Sequence, residues 1–77
     1  VYIAFDLPQS GAYTATLGAL KIAIARWAER YQIPYTQKTI KFTHRLGFNR
    51  DEYFSLFSMT WDWDYEFRIV NIENERY

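Results

Sequence analysis

Between Tyr13 and Tyr31, Leu17, Leu20, Ala23, Ile24, Trp27, Ala28 and Tyr31 recur at intervals that gather side chains on one face of a helix. Lys21, Arg26, Glu29 and Arg30 stand away from the centre of that stripe, and Pro34 prevents the helix from continuing beyond it. Ser10 or Thr14 is placed to cap the start, while Gly18 weakens the first turns. A helix with one apolar stripe needs an apolar surface to cover, and the remaining segments carry a strand-like pattern.

Val1, Ile3 and Phe5 share one face of a predicted strand over residues 1 to 7, which Pro8 and Gly11 terminate. After Pro34, alternation returns: Ile40, Phe42, His44, Leu46 and Phe48 fall on one side, with Thr39, Lys41, Thr43 and Arg45 on the other. Asn49 to Glu52 has the polar character of a turn. A third strand is expected over residues 53 to 61, with Tyr53, Phe57, Met59 and Trp61 on one side and Ser55 interrupting them. A loop at residues 49 to 52 aligns His44 with Phe57, Phe42 with Met59, and Ile40 with Trp61. A second reversal at Asp62, Trp63 and Asp64 opposes Trp61 to Tyr65, Met59 to Phe67 and Phe57 to Ile69, and strand 4 continues to about residue 72.

These elements predict one α+β domain over residues 1 to 77, with a single helix packed on a mainly antiparallel four-stranded sheet in the order β-α-β-β-β. Strand 1 belongs at an edge, beside strand 2 through a parallel crossover or beside strand 4. The pattern leaves both positions open. Aromatic residues make up 21% of the chain, enough to fill a core in so short a domain and to leave rings for an interface.

The chain has no cysteine, which excludes disulfides, thiolate nucleophiles, cysteine-ligated zinc and iron–sulfur clusters. Lys21 and Arg26 interrupt the longest apolar tract, so a cytoplasmic protein without a membrane partner is expected. His44 is the one imidazole, and strand alternation points it inward as a neutral, hydrogen-bonded core residue. No nucleophile elbow, phosphate-binding loop or closed ligand set accompanies it. The expectation is a non-catalytic protein with no catalytic residue, cofactor or metal.

Zero net charge hides an asymmetry. Residues 1 to 50 carry seven basic and two acidic side chains, a formal +5, whereas residues 51 to 77 carry two basic and seven acidic ones, a formal −5. In the expected sheet, Phe54, Leu56, Val70 and Ile72 are apolar on the face away from the helix, which calls for a protein partner or a homodimer. Trp63 adds an aromatic anchor flanked by Asp62, Asp64 and Glu66. The preferred reading is therefore a small protein-interaction module, a regulator or inhibitor. The alternative is a nucleic-acid-binding module in which Lys38, Lys41, Arg45 and Arg68 contact phosphates and Tyr53 or Phe54 stacks on a base. The neutral net charge and acidic final segment weigh against that alternative.

Overall fold

In the computed structural model, which describes residues 1–70, the helical stripe forms α1, Tyr13–Tyr31, burying Leu20, Ala23, Ile24, Trp27 and Ala28. Gln32 ends the helix in the left-handed region at φ 54°. Its N–H donates to the Glu29 carbonyl at 3.3 Å, and the Ile33 N–H to that of Ala28 at 3.0 Å, the paired bonds of a Schellman motif. Before this helix lies β1, Tyr2–Asp6.

The segment expected to form one strand around His44 is instead a tight hairpin of β2, Thr36–Ile40, and β3, Thr43–Gly47. The chain reverses at Lys41 and Phe42. Lys41 takes φ 53°, where glycine or asparagine is usual, so the sequence carries no standard signal for this reversal.

The expected third strand is a helix, α2, Asp51–Thr60, which buries Phe54 and Phe57. Asp51 and Glu52 occupy its first turn, where their carboxylates complement the positive end of the helix dipole. The hairpin expected at Asp62–Asp64 is therefore absent, and so are the pairings of Phe57 and Met59 with neighbouring strands. Trp61 leaves α2 in extended conformation, stacks on Phe57 at 4.7 Å and donates its indole N–H to the Tyr65 carbonyl at 3.0 Å. The final described strand, β4, Arg68–Val70, begins three residues later than the expected Tyr65, and Ile72 lies outside the described residues.

The element order among the described residues is thus β-α-β-β-α-β, with two helices where the sequence pattern predicts one. The strands are arranged β2-β3-β1-β4 and every adjacent pair is antiparallel. Strand β1 is not at an edge: it lies between β3 and β4. Its neighbours make β1 parallel to β2 and β3 parallel to β4, giving two interleaved β-α-β units, the split arrangement called ferredoxin-like.

Both helices cover the same sheet face. Ile3, Phe5 and Leu46 meet Leu20, Ile24 and Trp27 of α1 and Phe54 and Phe57 of α2 in one core. Trp27 and Phe5 contact Phe57 edge-on, at ring separations of 4.9 and 6.2 Å. Among the described residues, no helix is long and apolar enough to cross a membrane.

Candidate functional site

Strand register determines which side chains share the face turned away from the helices. Residues directly opposite in adjacent strands share a face, and Lys38 pairs with Arg45, Arg45 with Ala4, and Ala4 with Arg68. This outer face therefore carries Lys38, Arg45 and Arg68 in one row crossing all four strands, interrupted by the small Ala4. With strands about 4.8 Å apart, the row spans roughly 14 Å.

Arg45 is the central cation. Its guanidinium lies over the Tyr2 ring, 4.5 Å from the centroid, while its Nε is buried without a hydrogen-bond partner among the described residues. Stacking fixes the plane of the guanidinium. Lys38 and Arg68 are exposed, and neither Lys38 nor Arg45 makes an ion pair among the described residues. Arg68 meets Asp6 at 3.2 Å, with both side chains largely in solvent. Lys41, the fourth expected cation, sits outside the row at the hairpin turn, where its carbonyl accepts the Tyr13 hydroxyl at 2.9 Å.

Between Lys38, Arg45 and Tyr2 the outer face sinks into a depression of about 330 Å³ that Thr36 and Gly47 also line. Gly47 and Thr36 approach closely there: a Cβ at position 47 would lie 2.9 Å from the Thr36 hydroxyl oxygen across the hairpin. The site thus offers a planar cation over a ring, a second, exposed cation and space for a flat group.

The expected apolar interface is not assembled. Phe54 is buried between the helix layer and the sheet, and Leu56, also on α2, packs against the same core. Val70 does lie on the outer face, half-buried and opposite Tyr2. The aromatic–acidic segment is divided: Asp62 and Trp63 line a cleft beside α1, whereas Asp64 and Glu66 lie near Asp6 and Leu7. Trp63 remains 43% exposed.

His44 is fully buried on the helix-facing side, opposite Phe5. The Thr39 hydroxyl lies 2.8 Å from Nδ1 and the Gln37 side-chain oxygen 3.0 Å from Nε2. The neutral tautomer with a proton on Nε2 satisfies both: Thr39 donates and Gln37 accepts. Burial lowers the His44 pKa below its ordinary 6.5, and the charge of Lys21 lowers it further. Among the described residues, no three His, Asp or Glu side chains form a group that could hold a metal ion.

The alternation read from the sequence grouped Arg45 with Lys41 and put Lys38 on the opposite side; the reversal at Lys41 and Phe42 is what brings Lys38 opposite Arg45. Tyr2 and Gly47 had no sequence signal, since their role depends on the position of β1 beside β3. No family model, curated protein or solved structure matches the chain.

Proposed function

We propose that the outer sheet face binds single-stranded nucleic acid. The observation that carries this reading is the alignment of Lys38, Arg45 and Arg68 in one row across the sheet, with Lys38 and Arg45 uncompensated by ion pairs among the described residues. Phosphate oxygens suit such a row, and a base entering the depression meets the stacked Arg45–Tyr2 pair, since bases stack on guanidinium planes as well as on rings. The zero net charge makes the contact local, so binding depends on these few side chains and not on a long-range field.

The protein-interaction alternative loses the support of its apolar face, because Phe54 and Leu56 belong to the core side of α2. Among the described residues, exposed Trp63 and the half-buried Val70 on the outer face remain for it.

The test is fluorescence anisotropy with labelled single-stranded RNA and DNA over a salt series. Three phosphate contacts give a slope of log K against log salt of roughly −2. Substituting Lys38→Gln or Arg45→Gln reduces the magnitude of that slope by about 0.7 each and weakens every sequence similarly. No binding of either polymer at low salt rejects the proposal.

A further inference from the structure

We propose that the cleft between α1 and the loop after α2 is a second ligand site, built for a nucleoside monophosphate. It lies in the helix layer, on the other side of the molecule from the cation row, and does not rest on the nucleic-acid reading.

Arg26 and Arg30 stand one helical turn apart and both line this cleft, opposite Asp62 and Trp63. Neither guanidinium makes an ion pair among the described residues, although a carboxylate shares the cleft with them. Like charges one turn apart repel, and a phosphate monoester relieves that repulsion best. It brings about −1.5 to −2 of charge and three acceptor oxygens, enough for two guanidiniums, where a carboxylate suits one.

The walls suit a flat ring. Trp63 is 43% exposed, and Trp61 backs it at a ring separation of 6.3 Å. Tyr31 also lines the cleft, and Arg30 lies 5.8 Å from its ring centroid. The cleft encloses about 170 Å³, room for one ring system with the phosphate held at the rim. Thr60 does not compete for the ligand, because its hydroxyl accepts from Trp27 and donates to the Leu56 carbonyl. The Asp62 carboxylate is placed at the cleft to accept a hydrogen bond from an exocyclic amino group, which adenine and cytosine both supply.

The test is a titration of the full chain with adenosine 5′-monophosphate, followed through the Trp63 indole resonance. Inorganic phosphate and adenosine serve as half-ligands. The expected result is saturation with a Kd of about 1 mM or tighter, with each half-ligand weaker. Arg26→Gln and Arg30→Gln each weaken binding about tenfold, and Trp63→Ala weakens it as well. The Lys38→Gln/Arg45→Gln double variant binds the nucleotide as the parent does, which separates this site from the outer face. Absence of saturation by about 10 mM, on the same scale, overturns the proposal. So does nucleotide binding that survives loss of both Arg26 and Arg30, or saturation by a phosphotyrosine peptide where the nucleotide fails.

Discussion

The indole N–H of Trp27 donates to the Thr60 hydroxyl at 2.9 Å, tying the buried side of α1 to the last turn of α2. That hydroxyl donates in turn to the Leu56 carbonyl at 2.6 Å. Thr60→Val keeps the shape and removes the acceptor, leaving a donor on a nearly buried ring. The expected loss is about 1–3 kcal/mol in urea unfolding, with Thr60→Ser close to the parent.

Phe57 and Met59 distinguish the helix from a strand over the same residues. In a strand they share a face. In α2, Phe57 is fully buried among the rings of Phe5, Trp27 and Trp61, and Met59 is 81% exposed. Phe57→Ala should cost about 3–5 kcal/mol, a large part of a small domain's stability, and Met59→Ala no more than about 0.5 kcal/mol. Comparable losses from both substitutions in denaturant titrations would count against the helix.

The stability contributed at His44 follows from the direction of its pKa. Burial, reinforced by Lys21, holds the folded-state value below 6.5. Between the folded and unfolded values, the unfolded chain binds a proton that the folded chain refuses. Unfolding free energy is therefore undiminished above pH 6.5, declines as pH falls through that value, and levels off below the folded pKa. The slope approaches about 1.4 kcal/mol per pH unit at most. Subtracting the profile of His44→Gln from that of the parent isolates this segment, and a flat difference would refute the assignment.

Gly47 and Thr36 are coupled across the β2–β3 hairpin. A Cβ at position 47 meets the Thr36 hydroxyl oxygen at 2.9 Å, and the short branched Thr side chain has little freedom to withdraw. Gly47→Ala is expected to destabilise the fold by about 1–3 kcal/mol, as overpacking does. Adding Thr36→Ala should recover most of the loss, a coupling that a double-mutant cycle reads directly.

Asp6 holds Arg68 at 3.2 Å on the outer face and competes there with a phosphate. Because the pair is well exposed, its removal should scarcely change stability. Asp6→Asn is expected to strengthen binding of a single-stranded oligonucleotide about two- to fivefold, in proportion to the worth of an exposed ion pair. Unchanged affinity, with the parent binding, would remove Arg68 from the contact surface.

The failed strand at residues 53 to 61 has a specific cause. Tyr53, Phe57 and Trp61 are spaced four apart, an interval that keeps side chains on one face of a strand and nearly on one face of a helix. The discriminating residues were Phe54, which completes a helical face with Phe57, and the Asp51–Glu52 pair at the helix start. The unsplit strand around His44 failed for another reason: Lys41 adopts a left-handed turn conformation without a turn residue's composition. Of the candidate site, Lys38, Arg45 and Arg68 were legible as cations, but their common row was not. Phe54 and Leu56 leave the outer face because the segment that carries them is helical, whereas Val70 stays on that face.

The sequence by itself determined α1, the strand character of the opening segment, the inward direction of His44 and the absence of thiol chemistry. Each depends on side-chain identity and local period, which act within one element. Tertiary structure decided that residues 51 to 60 coil, because a helix places Phe54 and Phe57 together against Phe5 and Trp27 in the shared core. It also decided that β1 enters between β3 and β4, since β1 carries core residues and its edges hydrogen-bond to both neighbours. That insertion brings Arg45 and Arg68, twenty-three positions apart in the chain, into one row. Register between distant strands is set by burial summed over the whole sheet, and no local pattern contains it.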